Sequence, residues 1–331
     1  MNRSDVSVLP PTPSLVRSIR AGFDAIANHI MLIAFPFVLD LFLWFGPHLR
    51  ITTLIRSITD QLFNLYQIQD QGLSETMRFS QEAWRLIAEG FNLMAILRSY
   101  PVGIPSLLVG RLPISTPLGT PLYLELFSAG QVLFVWLFIM LVGLLLGTAF
   151  FAMVAQTALD GKINWQQVIH NLPQDALRIA CLALALAGFL LVISIPASFL
   201  LALALFGSLS FGQCAVLLYA GLIFWLLLPL VFSAHGIFVY QYNLRDSIKA
   251  SINLTRRTLP TTILFILATF LISKGLDILW LVPAETSWLM VIGVIGHAFI
   301  TTSLLAASFV YYRDADRWTR REIVGKPSVS I

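Results

Sequence analysis

The chain has 331 residues, 57% hydrophobic and only 11% charged, with a mean hydropathy of +0.82. Soluble domains carry about 25% charged residues, so this composition excludes a surface that mostly faces water and points to one that mostly faces lipid. The net charge of +4 comes with no basic–aromatic patch, which excludes a nucleic-acid partner.

Residues 1–13 contain Pro10, Pro11 and Pro13 and are expected to be a disordered tail. Residues 14–27 place Leu15, Ile19, Phe23 and Ile26 at helical spacing, with Arg17 and Arg20 between them. That pattern predicts an amphipathic helix lying in the membrane interface. It leads into residues 27–47, an apolar run long enough to cross a bilayer, which contains one carboxylate, Asp40. No small-x-small site follows the run, so it is expected to stay in the mature protein as span 1, making 14–47 one unit of interfacial helix and span.

Residues 48–128 read as an extracytoplasmic insert lying against the membrane surface. Residues 49–66 carry Ile51, Leu54, Ile55, Ile58, Leu62 and Leu65 on one helical face. Residues 75–97 do the same with Trp84, Ile87, Phe91 and Met94. A segment with Pro101, Pro105, Pro113, Pro117 and Pro121 follows, too rich in proline for a regular helix or strand.

Residues 129–312 hold five more apolar runs, near 130–156, 177–204, 212–239, 260–281 and 287–311. Each reaches the ~20 residues a helix needs to cross the hydrocarbon. Pro196 and Pro229 should kink spans 3 and 4. The expected fold is therefore all-α: a polytopic bundle of six spans with a helical extramembrane insert. With the N-terminus inside, fourteen Lys and Arg fall on the cytoplasmic side and six outside, all six in the long insert. The positive-inside rule then puts both termini, including the tail 313–331, in the cytoplasm of a cell-membrane protein. Amphipathic segments 14–27, 163–176 and 243–258 precede spans 1, 3 and 5, which suggests three hairpins.

The order of interfacial helix, span, loop and span also supports a resemblance. The Ser247-Ile248-Lys249-Ala250 helix before a span and the Tyr311-Tyr312-Arg313-Asp314 exit from the last span resemble bacterial six-span membrane proteins without an assigned function. They are also similar to the membrane domain appended to some glycerophosphodiester phosphodiesterases. The resemblance covers spans 3–6. No phosphodiesterase catalytic domain is present, so that activity is not implied, and the long insert departs from the pattern.

Candidate chemistry is confined to a few intramembrane polar residues. Asp40 lies ~10 Å below the outer boundary, and His29, Pro36 and Asp40 are expected to share one helical face. Span 5 holds Lys274 and Asp277 in its outer half, on a stripe with Thr262, Thr269 and Ser273. Span 6 holds Gly293, His297 and Thr301 on one face, with His297 ~14 Å deep. Asp40, Lys274, Asp277 and His297 therefore form a candidate polar layer. A lone charge at mid-membrane costs ~2.5–3.5 kcal/mol, so pairing is expected. The layer is either a pocket or proton relay, or an ion pair that locks span 1 to span 5. His235 reads as a hydrogen-bonded packing residue and His170 as solvated. Gly143-Leu-Leu-Leu-Gly147 reads as a close-packing motif within the chain.

Cys181 and Cys214 lie in apolar runs and are expected to be small buried hydrophobes. No zinc spacing, phosphate-binding loop or nucleophile elbow occurs, so no cofactor, metal or catalytic residue is expected. The leading expectation is a non-enzymatic scaffold or accessory subunit. Its partners would be membrane lipids and a membrane protein docked on the 48–128 insert. The alternative is a permease or lipid-handling protein that uses the polar layer, with an intramembrane hydrolase a distant third.

Overall fold

The computed structural model describes residues 13–65, 82–84, 88, 90–111, 113–207 and 209–324. The expected tail up to residue 12, about half of the expected helix over 75–97 and the last seven residues lie outside this set; at the described end of that segment Phe91 and Asn92 are not helical and Leu93–Leu97 is a 3-10 turn. The described chain is almost entirely helical. Five of its helices are long and apolar enough to cross a membrane, or six if one sharply bent pair is counted as a span.

Helix α1 (Leu15–Asn28) starts at Ser14, whose hydroxyl accepts from the Arg17 amide. It is followed by a short 3-10 turn (Ile30–Ile33) and by α2 (Ala34–Phe45), and the chain bends by 92° between them. The bend breaks the face that His29, Pro36 and Asp40 would share in a straight helix. His29 instead donates from Nδ1 to the Ala25 carbonyl of its own helix.

After α2 come strand β1 (His48–Arg50) and helix α3 (Thr52–Leu65). Strand β2 (Tyr123–Glu125) pairs with β1 in parallel, with His48 opposite Tyr123. This pair was not expected from the sequence. Parallel strands need a long connection, and the insert supplies it.

Helices α4 (Ala129–Asp160), α5 (Trp165–Gly207) and α6 (Leu209–Leu227) follow. The amphipathic segment expected at 163–176 is not separate, because α5 runs through it without a break and contains both Pro173 and Pro196. Pro229 does interrupt the next run: α6 stops, a 3-10 turn spans Leu228–Leu230, and α7 (Ser233–Tyr240) resumes. Amphipathic α8 (Leu244–Arg257), then α9 (Leu259–Trp280) and α10 (Met290–Val324), complete the chain.

The chain forms two compact units. The first comprises Met1–His29, Phe151–Leu271 and Ser303–Ile331. Its core joins Phe232, Leu254, Phe265, Tyr311 and Tyr312, with the Phe265 and Tyr311 rings stacked 4.4 Å apart. Helix α1 lies directly on α10 there. A side chain at Gly22 would strike the α10 backbone at Ser303 and Ala307, so glycine sets the approach. Arg17 closes the same contact with a 2.8 Å ion pair to Asp314.

The second unit comprises Ile30–Phe150 and Ile272–Thr302. Its core joins Trp44 of α2, Leu107 and Leu108 of the insert, and Met290 and Val294 of α10. A smaller cluster joins Leu49, Leu93 and Ile139. The Gly143 and Gly147 pair is used within the chain, as expected, but it admits the insert: the end of the 3-10 turn Leu93–Leu97 at Gly143 and the loop at Val102 at Gly147. The insert backbone at Leu97 and Val102 lies directly on the two glycines.

Cys181 and Cys214 are exposed, contrary to expectation. Both sit on helices that are apolar all round, where periodicity does not identify the inward face.

Candidate functional site

All four residues of the expected polar layer belong to the second unit, and they divide into two arrangements. Asp40 lies in the inward stripe of α2, with Pro36, Leu39, Leu43 and Trp44 at the i, i+3, i+4, i+7 and i+8 positions. It is 0% exposed. Its partner is the insert, not a side chain of α9 or α10. Ser106 donates its hydroxyl to Asp40 Oδ1, the Leu108 amide donates to the same oxygen at 3.1 Å, and the Leu107 amide donates to Oδ2 at 3.0 Å. Ser106 in turn accepts from the Val109 amide at 3.1 Å. Together Asp40 and Ser106 cap the 3-10 turn Leu108–Gly110, meeting donors that the turn cannot satisfy itself.

The insert is tied at further points. Arg111 donates to the carbonyls of Leu281 and Pro283, both at 3.1 Å. Ser115 donates to Glu285 Oε1 at 2.8 Å, and Trp44 donates its indole N–H to the Glu285 carbonyl at 3.0 Å. Ser106, Arg111, Trp44 and Glu285 were not singled out from the sequence. The one local signal was Pro105-Ser106, a serine placed to cap the turn that follows it.

Lys274, Asp277 and His297 do come together. Lys274 Nζ lies 2.8 Å from Asp277 Oδ2, and His297 Nδ1 lies 2.7 Å from Asp277 Oδ1. A carboxylate only accepts, so His297 carries its proton on Nδ1. Its Nε2 is buried and has no partner within the described residues. Lys274 keeps a 57% exposed side chain and reaches outward, while the histidine and the carboxylate point in.

Glycine makes the contact between α9 and α10 possible. A side chain at Gly293 would strike the Trp280 carbonyl, and one at Gly296 would strike the Trp280 ring. The rest of the expected α9 stripe does not extend the site. Thr262 bonds Tyr311 at 3.1 Å in the first unit, and Thr269 bonds the Phe265 carbonyl of its own helix at 2.9 Å.

His235 is buried, as expected of a packing histidine. Ser308 gives its proton to the Leu305 carbonyl and so accepts from His235 Nε2 at 2.8 Å. His170 is exposed, consistent with a solvated residue. Among the described residues no group of three or more His, Cys, Asp or Glu is placed to hold a metal ion.

No protein family, characterised protein or solved structure matches this chain. The functional reading therefore rests on the geometry alone.

Chemically, the Asp40 arrangement is closed: three donors occupy its two oxygens and no face is left for a ligand. The Lys274–Asp277–His297 arrangement is open at one atom, His297 Nε2.

Proposed function

We propose that this is a six-span integral membrane protein of the cell membrane with both termini in the cytoplasm. It acts without catalysis, as a scaffold or accessory subunit. Its insert is a docking platform anchored in the bundle by Asp40. Non-helical backbone at membrane depth is tolerated where protein covers it, and the 101–107 segment, packed on Gly147 and Asp40 with no exposed residue, fits that condition.

The observation that carries the reading is the outer surface of the insert. Ile114, Leu118, Leu122 and Phe127 are exposed there, Leu118 by 75% and Phe127 by 68%. Large apolar side chains left exposed on an anchored segment suit an interaction surface.

The test is purification from native membranes in mild detergent after chemical crosslinking. Wild type is compared with a Leu118→Asp, Leu122→Asp double variant. The expected result is a crosslinked membrane protein that the variant loses while its thermal unfolding stays unchanged. Recovery of wild type as a monomer with no crosslinked partner overturns the reading.

A second reading, a permease with a proton relay, draws support from one observation, the unpartnered Nε2 of His297 beside Asp277 and Lys274. It calls for proton flux into proteoliposomes under a pH gradient. That flux should be lost in Asp277→Asn, and an equal flux in both proteins removes this reading.

A further inference from the structure

The first unit contains a cleft of about 690 Å³ between α5, the break after α6, and α8. Its walls are Phe189, Trp225, Leu228 and Ile252, and its one charged lining residue is Arg256. Arg256 is exposed, and no acidic residue among those described lines the cleft. Thr255 lines it too. The Thr255 hydroxyl is buried and has no hydrogen-bond partner within the described residues, although a helical threonine ordinarily bonds the carbonyl one turn back.

The cleft arises from the sequence in two steps. Pro229 stops α6 and opens a gap in the helix wall. Helix α8 then closes one side, because Ser251 donates to the Pro229 carbonyl at 2.7 Å and accepts from the Phe232 amide at 3.2 Å. Ile248, Ile252, Thr255 and Leu259 recur every three or four residues along that side.

We infer that this cleft is a binding site for one phospholipid with an anionic headgroup. An acyl chain fills the apolar part and the Arg256 guanidinium takes the phosphate. The volume lies within the ~300–1,000 Å³ of ordinary ligand pockets. A comparison within the molecule shows why charge decides the assignment. The second unit has a groove of about 610 Å³ lined by Phe35, Phe42, Leu97 and Phe138 among other apolar residues. That groove suits a lipid tail but offers nothing to a headgroup. In the first cleft, a cation with no acidic partner among the described residues meets an apolar cavity. That combination fits an amphiphile whose head is an anion.

Trp225 lines the cleft and reports on it directly. The full chain is reconstituted in phosphatidylcholine nanodiscs doped with brominated phosphatidylglycerol or, separately, with brominated phosphatidylcholine. Subtracting the quenching of a Trp225→Phe variant isolates the Trp225 signal. The expected result is half-quenching at about fivefold less brominated phosphatidylglycerol than phosphatidylcholine, the order that one cation beside an anionic head provides. Arg256→Gln, a change at an exposed position, should make the two lipids equal. Equal quenching by both lipids in wild type, or a preference that survives Arg256→Gln, overturns the proposal. Excess inorganic phosphate at matched ionic strength separates the sources of the anion. A persisting preference supports the lipid, and a preference abolished by phosphate assigns the site to the anion alone and overturns it.

Discussion

Replacing Asp40 by Asn tests the clamp between α2 and the insert. Asp40 Oδ1 takes the Ser106 hydroxyl and the Leu108 amide, and Oδ2 takes the Leu107 amide. An asparagine keeps one acceptor oxygen. Oriented to hold Ser106 and Leu108, it turns its NH₂ toward the Leu107 N–H, and two donors then face each other. One hydrogen bond to a charged group is lost, at ~1.5–3 kcal/mol, and one buried donor is left unmet, at ~1–3 kcal/mol. The sum is about 2.5–6 kcal/mol, or a ~10²–10⁴-fold rise in local opening at 1.4 kcal/mol per decade. Hydrogen–deuterium exchange in nanodiscs reads this on peptides covering 99–111, with peptides from α4 and α10 as internal standards. The expected outcome is faster exchange confined to the insert and the end of α2. If the insert exchanges alike in wild type and Asp40→Asn, the carboxylate is not what holds it.

Three further outcomes are expected. Gly147→Val should push the insert off α4, since a side chain there meets the Val102 carbonyl, and should lower the unfolding temperature by overpacking worth ~1–3 kcal/mol. Gly293→Ala should move Trp280 away from α10 and break the His297–Asp277 bond, which nitrogen-15 shifts of the imidazole would show as loss of the Nδ1 hydrogen-bond signature. His48, outside the spans, donates from Nε2 to the Leu43 carbonyl, and burial holds its pKa below the usual histidine value. The folded state therefore binds its proton less readily than the unfolded chain. This contribution to stability is complete above the unfolded pKa of ~6.5 and falls as pH drops from there toward the lower folded value. Thermal unfolding between pH 7.5 and 5 should show that loss in wild type and a smaller one in His48→Gln.

The elements that the sequence revealed are those with a period or a length. Helices α1 and α8 show the 3.6-residue repeat, and the long helices reach spanning length with few charges. Matching depths also brought Lys274, Asp277 and His297 together. Asp40 was legible as a residue needing partners, but its partners were not. Two of its three donors are main-chain amides, and a main-chain N–H is the same at any residue, so Leu107 and Leu108 carry no signature. Strands β1 and β2 were hidden for a similar reason. Three residues are too few to show alternation, and the pairing crosses most of the insert. The bend after Asn28 was missed because apolar residues run through it and give no sign of the change in direction.

The pairing of Asp40 with Ser106 spans 66 residues of chain. Synthesis runs from the N-terminus, so α2 leaves the ribosome with its carboxylate before any of its donors exists. A 12-residue helix of ~18 Å, carrying a charge that costs ~2.5–3.5 kcal/mol in lipid, is a poor candidate for early release into the bilayer. Its three hydrogen bonds can form only once residues 106–108 have been made. The Asp40 clamp is thus completed late in synthesis, at a point set by the 66-residue separation of Asp40 and Ser106.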